Sequence, residues 1–346
     1  MVGCGRLQTC QGGAMSIPAA PFPAAYSTLS AQALAAWVEA RYSCTGPVTC
    51  TLLRRGLNDT YRVTGLAGRD RAALRVYRSG WRSPGEVEWE LGFLRHLAGA
   101  GCAVSGPLPQ PGGACWEVLE AAEGPRVAAL FGWVEGRWLE AVPEDAAAYG
   151  KAAARLHTAA DPFRAEGRFA LDLDHLLTQP LAVIRPLLAE SPEVWQELEA
   201  AAHRTHAALT ALAPRLEWGP CHGDLHEGNA RLEADGTVRL FDFDCGGPGW
   251  RAYDLAVYGW SLFSNSGQTP EAAEEAWRAF LAAYQSLRPL GAADLQALPL
   301  FVTARAIWFM GLNAGRAHEY GTEVPDLGFF QYGLKFIRDW EAWPEA

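Results

Sequence analysis

The nine residues CHGDLHEGN, 221 to 229, gather two histidines, two carboxylates and an asparagine. Side chains of these types accept protons, hold metals or close polar turns. The next thirteen residues narrow the choice. Ala230-Arg231-Leu232 leads into the turn Glu233-Ala234-Asp235-Gly236, and the chain returns through Thr237-Val238-Arg239-Leu240-Phe241 to Asp242. Asp-Gly between apolar runs is a strong hairpin signal. An antiparallel return sets Asp242 beside Asn229, thirteen positions earlier. One amide oxygen and one carboxylate at the open end of a hairpin suit Mg2+, which takes few protein ligands and keeps room for water and phosphate oxygens. Asp224, on the loop leading in, can face the same spot and accept a proton from a substrate hydroxyl.

Two other readings of the loop compete. His222, Asp224 and His226 alternate as on a strand and could ligate zinc or iron. Gly223 and Gly228 favour a loop instead, where alternation does not gather the three on one face. The other competitor is a polar turn with no chemistry. The part of His226 stays open.

The elements that must carry this loop fall into two halves. Residues 30–42 read as a short amphipathic helix with Ser30 as a possible N-cap. Strand-like runs follow at 48–54, 60–64 and 72–77, then a helix at 84–98 and strands near 115–120 and 127–134. The spacing predicts a small, mostly antiparallel sheet with one internal helix up to about residue 134. Beyond Gly136 the stretches 144–160, 192–213, 270–287, 299–317 and 326–342 are helical in pattern, interrupted only by the β-type segment 230–242. The expected organisation is a tail at 1–25, a β-rich lobe at 26–134 and an α-rich lobe at 135–346, with the site in the cleft between the lobes.

An Asp, an Asn five residues on and an Asp after a hairpin are the working set of phosphoryl transfer in kinase-like folds. Here the sequence resembles the aminoglycoside phosphotransferase/choline kinase family, closest to its homoserine kinase and stress-response kinase A types. The resembling stretches are HGDLHEGN (222–229), FDFD (241–244) and YDLA (253–256), with GLNDTYRV (56–63), ALRVYR (73–78), ELGFLRHL (90–97) and LFGWVEG (130–136) upstream, all in family order. The resemblance implies an α+β, two-lobed protein-kinase-like fold and an ATP- and Mg2+-dependent kinase. It also implies that the loop 55–60 lies over the phosphates, where Asn58 and Thr60 supply donors beside a single glycine. Arg75 then stands where many kinases carry the lysine that pairs with the nucleotide's phosphates. Helical geometry selects its partner. Val87, Leu91, Leu94 and Ala98 form one face of 86–98, and Glu90 lies at the rim of that face while Glu86 and Glu88 point away. Asp244 either contacts a second Mg2+ or caps a turn. His222 and Asp254 are expected to support the catalytic loop, and His157 to be a satisfied core histidine.

The totals set bounds. A formal net charge of −10 argues against non-specific nucleic-acid binding, which needs a basic surface. Eight cysteines form no CxxC pair or zinc spacing and, with no apolar secretion signal in residues 1–14, suggest a reducing cytoplasm. The apolar stretch 297–315 contains Pro299 and Arg305 and reads as a buried helix rather than a membrane span. For the acceptor, the helical region after residue 255 offers Trp260, Asn265, Arg305, Trp308 and Asn313. Lacking a dense acidic cluster for a polycation, it favours the hydroxyl of a small homoserine-like metabolite over a protein Ser/Thr, with antibiotics third. A nucleotide-binding pseudokinase, motivated by Arg75 and the glycine-poor loop, is the rival from another class. A metal-dependent hydrolase stands behind it.

Overall fold

The computed structural model describes residues 22–264, 267–320 and 325–342. Residues 1–21 of the expected tail, and Asn265, lie outside the described residues. The first half of the chain is organised by strand alternation. Strands β1 (Cys44–Arg54), β2 (Asn58–Leu66), β3 (Ala72–Tyr77), β4 (Trp116–Ala121) and β5 (Gly124–Gly132) form an antiparallel sheet in the order β1-β2-β3-β5-β4. Successive strand residues face opposite sides. Tyr61, Val63, Leu74, Val76, Ala128 and Leu130 therefore pack one face against Leu34 and Val38 of α1 (Ala31–Glu39). The alternate set, Thr60, Arg62, Ala73, Arg75 and Phe131, lines a cavity on the other face. The expected strand at 127–134 is β5, an interior strand, and β4 forms the edge.

Helix α2 (Pro84–Gly99) starts at a capping box. The Ser83 hydroxyl accepts from the Glu86 N–H, the Glu86 carboxylate accepts from the Ser83 N–H at 2.8 Å, and Pro84 opens the first turn. Its buried stripe, Val87, Leu91 and Leu94, enters the main core and carries Glu90 in with it, at 0% exposure.

The second half is helical: α3 (Pro143–Ala160), α4 (Gln179–Ile184), α5 (Pro192–Leu212), α6 (Arg251–Ser264), α7 (Pro270–Gln285), α8 (Ala292–Ala314), α9 (Ala317–Tyr320) and α10 (Leu327–Glu341). Gly150 of α3 lies on the backbone of Phe280, so that α3 and α7 approach closely. Helix α8 begins seven residues before the expected 299, and its Asp294 also accepts from the Glu217 N–H at 3.0 Å. By length and composition alone α8 could cross a membrane, yet 67% of its most apolar window is buried inside the protein.

Among the described residues, five short strands sit with these helices. They are β6 (Arg137–Trp138), β7 (Trp218–Cys221), β8 (Ala230–Leu232), β9 (Val238–Leu240) and β10 (Gly247–Trp250). The hairpin β8–β9 pairs Ala230 with Leu240 and Leu232 with Val238, and β6 joins its edge. Antiparallel pairing of β7 with β10 fixes both ends of the segment that holds the candidate site. Gly136, at φ +103, presses against the Leu232 carbonyl, which leaves no room for a Cβ where the chain passes from the sheet to the helical half.

Candidate active site

Strand β7 ends at Cys221, and the next turn requires Gly223. Its φ is +77, and a Cβ there would strike the Cys245 carbonyl. Asp254, fully buried on α6, takes the His222 N–H on one oxygen at 2.6 Å and the Gly223 N–H on the other at 2.7 Å. His157 reaches the same carboxylate with Nε2 at 3.1 Å, and its Nδ1 lies 2.8 Å from the Tyr284 hydroxyl. Burial, then Arg251, with Asp254 opposing, pushes His157 down to about 4. The His222 ring donates from Nε2 to the Phe241 carbonyl at 3.0 Å and accepts the Asp224 N–H at 3.3 Å, which joins the loop to the far strand of the hairpin. Among the described residues, neither histidine of the loop lies in a metal-type cluster. Among the described residues the one group of His, Cys and carboxylate ligand atoms within 4.8 Å is His157, Cys221 and Asp254.

The loop then sets out Asp224 and Asn229. The Asn229 amide donates to the Asp224 carboxylate at 2.9 Å and to its carbonyl at 3.0 Å. Asp224 also pairs with Arg305 from α8 and with His226 Nε2 at 3.4 Å. Burial pushes the Asp224 carboxyl up, but Arg305 and then His226 outweigh it and hold the group well below the usual carboxylate range. On the hairpin's return, the Phe241 N–H donates to the Asn229 carbonyl at 3.0 Å, so Asp242 comes back beside Asn229. Asp242 has φ +69 and is the sole non-glycine residue with positive φ among the described residues. Strain of this kind persists where the surroundings enforce it, and it gathers at functional sites. Burial raises the Asp242 carboxyl, Arg75 opposes, and Asp244 and Asp224 add repulsion.

Arg75 bridges two carboxylates. Nη1 meets Glu90 at 2.9 Å and Nη2 meets Asp242 at 2.9 Å, while the Tyr77 hydroxyl donates to the other Glu90 oxygen at 3.0 Å. Thr60, Arg75, Glu90, Asn229 and Asp242 all border the cavity, which holds about 510 Å3 and is walled elsewhere by Phe131. Asn58 is not on its wall. Its amide donates at 2.5 Å to Asp244, which also accepts from Trp81 Nε1 at 3.0 Å. The Asp244 carbonyl takes Arg82 Nε at 2.7 Å and Arg168 Nη2. The Asp244 carboxylate, whose residue is 3% exposed, is thus occupied in tying the β2 and α2 approaches to the hairpin segment.

Of the acceptor-side candidates, Trp260 and Trp308 face the Arg305 guanidinium with ring centroids at 5.0 and 4.5 Å, and Trp308 Nε1 donates to His175 at 3.1 Å. The Asn313 amide donates to Phe309 within its own helix. Sequence reasoning had Arg305 as a wall residue and missed its partner. An arginine in an otherwise apolar helix demands a buried carboxylate, and the sequence carried that signal.

Residues 49–290 match the family model described as "Phosphotransferase enzyme family". An uncharacterized protein of Deinococcus radiodurans is 60% identical over 96% of both chains. A homoserine kinase of Agrobacterium fabrum is 31% identical over 65% of this chain and 67% of its own. Among solved structures, a microcompartment-associated aminopropanol kinase superposes with a TM-score of 0.76 at 23% identity, covering 90% of this chain and 98% of that one, a likeness that carries the fold. The chain belongs to the phosphotransferase enzyme family, has its two-lobed kinase-like α+β fold, and is an enzyme of the kind that transfers phosphoryl groups to alcohols.

Proposed function

We propose that the protein transfers the γ-phosphoryl group of ATP, with Mg2+, to a hydroxyl of a small homoserine-like metabolite. In this reading residues 26–134 bind the nucleotide and 135–346 hold the catalytic loop and the acceptor. The observation that carries it is the meeting of Asp224, Asn229 and Asp242 at the mouth of one hairpin, two of them on the wall of a cavity.

The residues present fit a divalent cation. Asp244 and Asp224 stand close enough to Asp242 to help raise its carboxyl, after burial itself and against Arg75. Asn229 spends its N–H on Asp224, which leaves its carbonyl oxygen as a hard ligand beside Asp242. Asn229 and Asp242 would hold Mg2+, which would supply positive charge to offset that on the phosphate oxygens. Arg75 supplies the fixed cation of the nucleotide side, and Glu90 holds it in place. Arginine's fork keeps both carboxylates while facing the cavity, a geometry lysine does not reproduce. Asp244 is assigned to joining the lobes.

Asp224 orients the acceptor hydroxyl. As the hydroxyl oxygen bonds to the γ-phosphorus and the bond to the β-phosphate oxygen breaks, the proton passes to the Asp224 carboxylate. A carboxylate held this far below its ordinary range is a weak base. That suits a loose transition state, in which the hydroxyl becomes acidic only once its bond to phosphorus is forming. Positioning and electrostatics then do most of the work.

The test is Mg2+-dependent ATP turnover against homoserine, choline, aminoglycosides and a protein substrate. Turnover stimulated by one small acceptor supports the proposal. Tight nucleotide binding with no stimulation by any of them favours a binding protein instead.

A further inference from the structure

The torsion that turns an aspartate's carboxylate is broad and lacks staggered wells, so its partners decide where the oxygens point. Arg305 holds Oδ1 of Asp224 through a single nitrogen, Nη2, and so acts as a pivot. Oδ2 takes the Asn229 amide at 2.9 Å, and His226 Nε2 stands 3.4 Å from the same oxygen. The rest of His226 is fixed in place. Its N–H donates to the Asp224 carbonyl at 2.9 Å, and its carbonyl accepts from the Asn229 N–H and the Tyr149 hydroxyl, both at 3.0 Å. Ring Nδ1 accepts the Gly228 N–H at 3.0 Å and so caps the short turn Glu227–Asn229. A ring nitrogen that accepts carries no hydrogen, which places the neutral ring's hydrogen on Nε2, the atom turned to Asp224. The ring lies against Gly228. A Cβ there would come within 2.6 Å of the ring's Cε1 and 2.8 Å of Nδ1, and the next-nearest atom, at 3.8 Å, again belongs to the ring.

We infer that His226 is a positioning residue for the transfer: its Nε2–H orients the Asp224 carboxylate toward the acceptor hydroxyl, and position 228 is glycine so that the ring can reach. One imidazole thereby links the turn that presents Asn229 to the carboxylate that takes the proton. Contacts of this length close up once reactants fill a site. The inference rests on Asp224 being the group that meets the acceptor.

An asparagine amide falls near where Nδ1 lies and a glutamine amide near where Nε2 lies, so the two substitutions separate capping from orienting. With Mg2+–ATP and L-homoserine, His226→Asn is expected to keep the wild-type Tm and KM for ATP while kcat falls about 30-fold, the scale of a misplaced reacting group. His226→Gln should recover most of kcat. Gly228→Ala should lower kcat about tenfold by displacing the ring, yet cost little when added to His226→Ala, where no ring is left to displace. Wild-type kcat in His226→Asn, beside an Asp224→Ala control that has lost turnover, overturns the inference and leaves the part of Asp224 intact. Turnover that survives Asp224→Ala overturns both. Nitrogen NMR of protein labelled with 15N-histidine reads the same contact without turnover. His226 should carry its hydrogen on Nε2, with a signal that shifts in Asp224→Ala. Hydrogen on Nδ1, or an Nε2 signal indifferent to Asp224→Ala, overturns the inference whichever alcohol is phosphorylated.

Discussion

Arg75 and Arg305 each reach a carboxylate of the hairpin region, Asp242 and Asp224 respectively, and each is nearly excluded from solvent. Their settings differ. Arg75 has a second carboxylate in Glu90, and the rings of Phe131 and Tyr77 lie within 4.9 and 5.5 Å. Arg305 has one carboxylate, with the Tyr253 hydroxyl and the rings of Trp260 and Trp308 beside it. In the proposed function the first cation, held by two carboxylates, is a fixed wall against which a nucleotide is placed, and the second holds the carboxylate that meets the acceptor.

Substitutions on either side of the hairpin can break this contrast. The largest effect is expected at Asp242. Asp242→Ala should lower turnover by about a thousandfold and abolish the Mg2+ dependence of nucleotide binding, since the hairpin's one cavity-facing carboxylate is lost. An unchanged metal titration of nucleotide affinity would remove Asp242 from the metal site. Next comes stability. Arg75→Ala strands the fully buried Glu90 and should cost about 3–5 kcal/mol in chemical denaturation. Arg305→Ala should cost less, because Asp224 keeps Asn229 and His226 and its side chain is 20% exposed. Equal losses would say that the two arginines are housed alike.

The smallest effect is a pH dependence from the loop's support. Folded His157 is held neutral with its pKa near 4, while the unfolded chain takes up that proton near 6.5. Between those values the unfolded state binds more protons, so stability is full above pH 6.5 and falls as the pH drops toward 4. The loss from His157 amounts to about 3 kcal/mol. His175, also pushed down to about 4 by burial, adds to the slope. Melting curves from pH 7 to 4.5 should flatten in His157→Gln, and an unaltered slope would place the titration elsewhere.

Local signals carried much of this. The hairpin was legible because its turn, Asp235-Gly236, and both of its arms lie within thirteen residues, and the loop glycines announced a turn that strands cannot make. Glu90 could be separated from Glu86 and Glu88 by helical periodicity alone. What sequence pattern did not give are the meetings across distance. Asn58 and Asp244 are 186 positions apart, and Arg305 and Asp224 are 81. A side chain's type says that it needs a partner but not which one. The interior place of β5 and the pairing of β7 with β10 were hidden for the same reason, since strand order depends on packing between segments and not on the pattern within one. Helix α4 is too short for periodicity to show.

The most direct test of the division between the two sides of the hairpin is Asp224→Ala, with kcat and the affinity for Mg2+–ATP measured on the same preparation. The account predicts that turnover falls by about a thousandfold while nucleotide affinity stays within a few-fold of wild type. Loss of both in equal measure would contradict it, placing Asp224 in the nucleotide site and leaving the acceptor without its base.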